Sequence, residues 1–170
     1  TTYTKNADMF GHAYQEFQDY FRNYPKGSVL DLGCGQGRDS IFLASIGHKV
    51  TAVDNSQVGV SQMLEKAKGL EIKGIVSDVL NLKLDDRFDI ILFDMILHSF
   101  EKTQQQKILR KYLHCLNKDG IICIVFPDDM NSSYFMDILK PGNWVLLDEI
   151  VIKDVPIIPG EKNDYTFNMM

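Results

Sequence analysis

Short runs of β-branched and apolar residues alternate along the chain with segments whose apolar positions recur every three or four residues. That rhythm predicts a parallel sheet whose crossovers are helices. Ser28–Leu32 reads as a first buried strand. A helix follows over Asp39–Ile46, with Ile41, Phe42, Ala44 and Ser45 at packing spacing and Gly47 as its stop. Lys49–Asp54 is a second strand. Ser56 caps the next helix, which turns Val60, Met63, Leu64 and Ala67 inward and ends at Gly69.

Lys73–Ser77 is a third strand, and Phe88–Phe93, apolar on both faces, reads as a central fourth. Thr103–Leu116 is an amphipathic helix carrying Ile108, Leu109, Tyr112, Leu113 and Leu116 on one side. Gly120–Phe126 is a fifth strand, broken by Pro127. Asp128–Gly142 is irregular or briefly helical, Trp144–Lys153 a sixth strand, and Tyr165–Met170 a seventh that reaches the chain end. Ahead of the sheet, Ala7–Tyr24 reads as one aromatic-rich helix with Pro25, Lys26 and Gly27 as its exit turn.

Composition agrees with one globular domain: 170 residues, 45% hydrophobic and 24% charged. The formal charge of −5 argues against a nucleic-acid or membrane-surface partner, because both need a positive footprint. Three cysteines (Cys34, Cys115, Cys123), none in a CxxC pair, point to a reducing compartment and away from a cysteine-built zinc site. No metal-ligand spacing is present. The longest apolar runs are too short to span a bilayer, and residues 1–10 lack a signal-peptide pattern, so a cytoplasmic setting is expected. The chain starts without Met, which suggests processing or trimming, and its seventh strand leads us to expect that it runs slightly past Met170.

The strongest chemical signal is the run Asp31, Leu32, Gly33, Cys34, Gly35, Gln36, Gly37, directly after a strand and before a helix. Three glycines in five residues let the backbone turn tightly and approach a ligand where a Cβ would clash. The helix behind them offers free N–H groups and a positive dipole end to an anionic group. The GxGxxG dinucleotide fingerprint requires glycine at position 38, which is Arg38, and no Gly-Lys-Ser/Thr of a P-loop follows. Asp54 ends the second strand 17 residues after Gly37, where a doubly wound sheet places a carboxylate that accepts ribose hydroxyls. Asp78 follows the third strand and Asp94 the fourth, so four aspartates meet one sheet edge. Asp54, Asp78 and Arg38 each have a plainer reading: Asp54 as a cap ahead of Asn55 and Ser56, Asp78 as a turn residue, and Arg38 as a surface cation.

These motifs, in this order, resemble the class I S-adenosylmethionine-dependent methyltransferases over nearly the whole chain. Val29–Gly37 matches the family's first motif, Asp54 its ribose acid, and Ser77, Asp78 and Val79 its adenine-contacting segment. Phe88–Asp94 matches the fourth motif. Leu116–Gly120 matches an L-x-x-G-G turn in which Asp119 replaces the first glycine. The run Gly33–Ser40 is similar to tellurite- and thiopurine-type small-molecule methyltransferases. The resemblance implies an α/β, doubly wound Rossmann-like sheet of about seven strands. Most would be parallel and the last antiparallel, with helices on both faces. It implies a single domain over residues 1–170, with 1–27 as a helical lid and 28–170 as the cofactor-binding sheet.

It also implies S-adenosyl-L-methionine as cofactor and S-adenosyl-L-homocysteine as product. Gly33, Cys34, Gly35 and Gly37 would underlie the cofactor, with Asp31 near its amino group and Arg38 paired with its carboxylate. Asp54 and Asn55 would hold the ribose, Ser77, Asp78 and Val79 the adenine, and Asp94 and Met95 the sulfonium end. Asp94 and His98 are the candidate catalytic residues, since imidazole titrates near neutral pH and His98 follows the fourth strand; a packing histidine is the alternative. Cys34 reads as a steric choice rather than a nucleophile. Tyr134, Phe135 and Trp144 are candidates for an apolar acceptor wall. His12, His48 and His114 are expected at the surface. The N-terminal aromatics Tyr3, Phe10, Tyr14, Phe17, Tyr20 and Phe21 read either as a lid or as core.

The expected reaction is in-line transfer of the sulfonium methyl group to a nucleophile on a small molecule, with oligomeric state open. Alternatives are a protein or peptide methyltransferase of the same fold and a catalytically silent S-adenosylmethionine-binding regulator. A nicotinamide-dependent reductase would share the sheet but lacks its fingerprint here. Nucleic-acid acceptors are disfavoured, because Asp94, Met95, Ile96 and Leu97 replace the family's amino-base motif and no basic stripe remains.

Overall fold

The computed structural model describes residues 11–140, 142, 144–155 and 165–170. In chain order these form α1 (Gln15–Asn23), β1 (Ser28–Leu32), α2 (Arg38–Ser45), β2 (Lys49–Asp54), α3 (Gln57–Lys66), β3 (Ile72–Val76) and β4 (Phe88–Asp94). A short 3-10 turn (Leu97–Ser99) leads to α4 (Lys102–Leu113), β5 (Leu116–Pro127), α5 (Ser132–Leu139), β6 (Ile150–Val155) and β7 (Tyr165–Met169). The sheet order is β3-β2-β1-β4-β5-β7-β6. Strands β1 to β5 are mutually parallel, and β7 is antiparallel to both β5 and β6. This is an α/β Rossmann-like fold. Strand order reverses between β1 and β4, and such a point opens a crevice at the carboxyl ends of the strands.

Period-two alternation in the central strands sends side chains to two cores. On one face Val29, Ala52, Ile90, Leu92 and Cys123 pack with Phe17 and Phe21 of α1, Leu43 of α2 and Met63 of α3. On the other, Leu30, Leu32, Ile91, Phe93 and Ile124 pack with Leu109 and Tyr112 of α4 and Phe135 of α5. At the amino ends of the strands Asp89 staples β1 to β4: it accepts from the Ser28 amide at 2.8 Å, Ser28 Oγ at 2.9 Å and Asn117 Nδ2 at 2.8 Å. Those bonds hold its carboxyl below the usual carboxylate range.

Several expectations are corrected. Of the helix expected over Ala7–Tyr24, residues 11–14 are not helical and α1 starts at Gln15; residues 7–10 and Tyr3 lie outside the described residues. Leu64 is 40% exposed; it drapes over β3 beside Gly74, which has no Cβ to fill that space. Residues 144–149 are not strand, and β7 begins to pair with β6 only at Ile150, leaving Val145 and Leu147 exposed. His48 is 1% exposed rather than a surface residue: its Nδ1 accepts from the Gly27 amide at 3.3 Å and its ring meets Phe21 edge-on. Phe135 is fully buried against Phe126 and belongs to the core, not to an acceptor wall.

Candidate functional site

The turn after β1 is folded by three glycines at positive φ: Gly33 (+84°), Gly35 (+53°) and Gly37 (+83°). The Gly33 and Cys34 amides donate to Val53 O at 2.8 and 3.0 Å, pinning the loop to β2. A Cβ on Gly33 would fall 2.6 Å from Ile96 Cδ1, and one on Gly37 would run into the Met63 side chain. The glycines therefore answer both to backbone conformation and to close packing beneath the loop.

Asp54, 8% exposed, accepts from the Gly35 amide through Oδ2 at 2.9 Å and from the Ser56 amide through Oδ1 at 2.8 Å. Ser56 Oγ caps α3 by accepting from the Gly59 amide at 3.2 Å. Asp31 lies under the loop, 2% exposed, and Ser40 Oγ donates to it at 2.5 Å. Burial, with the charge of Asp39 beside it, pushes the Asp31 carboxyl up to about 7 against the pull of that hydrogen bond. Asp94, at the end of β4, pairs with Arg38 at 2.5 Å. Burial and the neighbouring Asp39 push its carboxyl up, and Arg38 opposes them. Asp78 is exposed, and its carboxylate accepts from the Leu80 amide at 2.8 Å and Asn81 Nδ2 at 3.1 Å, as a turn residue does.

A cleft of about 250 Å³ runs between the loop and the ends of β2 to β4. Gly33, Asp54, Asn55, Ser77, Asp78, Val79, Met95 and Ile96 line it. Met95 holds φ +48°, a left-handed conformation costly for its side chain, and its amide donates to Val125 O at 3.0 Å. A larger hollow of about 560 Å³ lies elsewhere, between Tyr20, the start of β5 and residues 144–148. Trp144 lines that hollow, so it is not placed at the cleft.

Comparison with known proteins settles which family carries this arrangement. The model of a methyltransferase domain family matches residues 29–120, from β1 to the start of β5. The chain belongs to this family. Residues 29–120 form a methyltransferase domain of the class I S-adenosylmethionine-dependent type.

Among relatives, the methyltransferase is 25% identical to a probable S-adenosyl-L-methionine-dependent methyltransferase TehB of Haemophilus influenzae, over 72% of this chain and 46% of that one. It is 27% identical to a ubiquinone biosynthesis O-methyltransferase of Rickettsia canadensis, over 74% of this chain and 53% of that one. It thus spans about half the length of these two relatives. The crystal structure of TehB from Haemophilus influenzae superposes with a TM-score of 0.75 at 20% identity, covering 93% of this chain and 61% of that one.

The residues of the cleft fit the cofactor. The glycine loop presents backbone without Cβ atoms, and Asp54 keeps lone pairs beyond the two its loop bonds use. Val79, Met95 and Ile96 supply apolar surface. The cleft brings Asp54, Asn55, Ser77, Asp78 and Val79 together with Gly33 and Met95, whereas Asp31, Cys34, Gly35, Gly37, Arg38, Asp94 and His98 do not line it. Arg38 is differently engaged from the expected pairing with the cofactor carboxylate: its Nε and Nη2 donate to Asp39 at 2.9 and 2.8 Å, besides the bond to Asp94. The Cys34 thiol is half-buried and pushed well above its ordinary value by burial and by Asp31 and Asp54, which keeps it protonated. His98 stands exposed on the 3-10 turn, its pKa lowered by partial burial of the ring and drawn back by Asp129.

Two positioning contacts escaped the sequence reading. Tyr112 Oη donates to Val79 O at 2.6 Å, and Lys111 Nζ donates to Val79 O and Leu80 O at 3.1 and 2.8 Å, so α4 fixes the segment after β3. The available signal was a tyrosine on an otherwise aliphatic helix face, since a buried phenol needs a partner. Among the described residues no helix is long and apolar enough to cross a membrane, and no cluster of histidine, cysteine or carboxylate side chains is arranged to hold a metal ion.

Proposed function

We propose that this methyltransferase transfers the sulfonium methyl group in line to a nucleophile on a small molecule. The observation that carries this reading is the cleft lined by Gly33, Asp54, Asp78, Val79 and Met95, which opens at the end of β4. When bound, S-adenosyl-L-methionine supplies an electrophilic methyl group on a cationic sulfur. Asp54 would accept the ribose hydroxyls, with Asn55 beside it. Ser77, Asp78 and Val79 would flank the adenine. Gly33, Cys34, Gly35 and Gly37 would underlie the amino-acid portion, with Asp31 behind the loop, buried and bonded to Ser40. Asp94 and Met95 would line the sulfonium end. Such a reaction gains most from holding two partners on one axis and excluding water.

His98, neutral at pH 7 because its pKa is lowered, suits the role of proton acceptor from a protonated nucleophile. A small acceptor is supported by the described residues between β5 and β6, which hold one two-turn helix, α5. The name of the Rickettsia relative, a ubiquinone biosynthesis O-methyltransferase, points the same way. We assign the elements from Ser28 onward as the part that builds this site; of the expected lid over 1–27, α1 packs against the sheet through Phe17 and Phe21 and does not line the cleft, and residues 1–10 lie outside the described residues. Three free thiols support a reducing, cytoplasmic setting.

Calorimetry with S-adenosylhomocysteine and with NAD, followed by methyl transfer from labelled S-adenosylmethionine to panels of small thiols, amines, hydroxyls and peptides, tests the proposal. Binding of S-adenosylhomocysteine and label in a small acceptor are expected. Label only in peptides, or binding of NAD alone, overturns it.

A further inference from the structure

Arg38 joins three elements at one guanidinium. It opens α2 directly after Gly37, and its edge is held by Asp39 through Nε and Nη2 and by Asp94 of β4 through Nη2. Its Cζ lies over the Tyr14 ring, 4.1 Å from the ring centre. Tyr14 is the residue on which α1 begins: its carbonyl accepts the Gln18 amide at 2.9 Å, and no side chain caps that end. Carboxylates on the edge and an aromatic ring on the face is a geometry that a planar guanidinium satisfies and an ammonium does not. Removing Arg38 would also leave Asp39 and Asp94 as neighbouring buried carboxylates without a counter-charge.

We propose that Arg38 is a positioning residue rather than a ligand of the cofactor carboxylate: with Tyr14 stacked on it, it latches the start of α1 to the end of β4. Asp94 is thereby held facing Arg38 at the end of the strand that borders the cleft. Only the identity of the enclosed ligand rests on the function proposed above; the latch itself is a property of the free protein.

Amide exchange at Gln18 and its neighbours in the first turn of α1, measured on the free protein, tests it with Tyr14→Phe, Tyr14→Leu and Arg38→Lys. Tyr14→Phe keeps the ring but removes the hydroxyl that also bonds the Arg38 side chain, so it should speed exchange less than Tyr14→Leu. Tyr14→Leu and Arg38→Lys should each speed exchange there by about tenfold, the scale of a desolvated cation–π contact. The same proteins are then titrated with S-adenosylhomocysteine and with 5′-methylthioadenosine, which keeps the nucleoside and sulfur but has no carboxylate. Equal weakening of both by Arg38→Lys is expected.

Unchanged exchange in Tyr14→Leu overturns the latch. Selective loss of S-adenosylhomocysteine in Arg38→Lys overturns it as well, by making Arg38 a direct carboxylate ligand. Should Arg38→Lys fail to fold, the Tyr14 pair decides alone. Should the wild type bind neither nucleoside, the proposed function fails while exchange in the free protein still decides the latch.

Discussion

Gly35 donates its amide to Asp54 Oδ2 at 2.9 Å, tying the middle of the glycine loop to the end of β2. Because the other carboxylate oxygen holds the Ser56 amide at 2.8 Å, one side chain sets both the loop and the start of α3. Asp54→Ala removes both bonds and leaves two amides to find new partners. Charge-assisted bonds of this kind contribute about 1.5–3 kcal/mol each, so affinity for S-adenosylhomocysteine should fall about tenfold or more. Asp54→Asn keeps an acceptor and should lose less. Calorimetry on both variants reads this, and unchanged affinity in Asp54→Ala removes Asp54 from the site.

Asp31 makes stability depend on pH. Burial raises its carboxyl from 3.8 to about 7, so the folded protein keeps a proton that the unfolded chain releases. That contribution is fully present below the unfolded value and is lost as pH rises through about 7. The melting temperature of the wild type should therefore fall, relative to Asp31→Asn, between about pH 4 and pH 8. Parallel melting curves for the two proteins across that range would show that Asp31 titrates normally.

Much of this was legible before any coordinates. The alternation of periods placed β1 to β4 because each strand is short, apolar and bounded by turn residues; β5, expected only over Gly120–Phe126, begins at Leu116, which the apolar periodicity assigns to the helix before it. The strand ends that carry Gly33, Asp54 and Asp78 meet at one cleft because parallel strands deliver their ends to one edge, whereas Asp31 and Asp94, expected at the same edge, do not line it. What stayed hidden is non-local. Nothing near Arg38 in sequence announces Tyr14 or Asp94 as its partners, and Ser28 gives no hint of Asp89. His48 follows a helix-ending glycine and reads as surface until Phe21 is seen packed over it. Residues 144–149 have strand-like composition, but among the described residues no strand pairs with them.

The contact between α4 and the Val79 carbonyl yields a prediction on the adenine side. Tyr112→Phe keeps the buried ring and its edge-on contact with Phe93 but removes the 2.6 Å bond. Lys111 still donates to the same carbonyl at 3.1 Å, so the loss should stay near 1 kcal/mol of stability. Affinity for S-adenosylhomocysteine should fall severalfold as the segment from Ser77 to Val79 loosens. Denaturant unfolding and calorimetry measure the two effects; wild-type values in both would make the hydroxyl incidental.

Asp119 sits at φ +64°, where the family's pattern has glycine. Aspartate tolerates this conformation better than most side chains but still bears part of its steric cost. Gly120 beside it cannot change, since a Cβ there would lie 2.9 Å from the Asp89 carbonyl. Asp119→Gly should raise stability by up to about 1 kcal/mol, and Asp119→Val should lower it by more. Denaturant midpoints give the order. A Val variant as stable as the wild type would show that the turn relaxes to negative φ.

Tyr134, in the first turn of α5, buries its hydroxyl without a hydrogen-bond partner among the described residues. Burial accordingly raises its pKa, with no charge contributing. An orphaned buried hydroxyl costs about 1–3 kcal/mol, and replacing it by hydrogen leaves the ring's packing against Phe135 intact. Tyr134→Phe should therefore melt at the same temperature as the wild type or a few degrees higher. A clear fall in melting temperature would mean that the hydroxyl has a partner in solution. If the melting temperature holds while transfer to an acceptor weakens through KM alone, that partner is the acceptor, and Tyr134 sets which acceptors are taken.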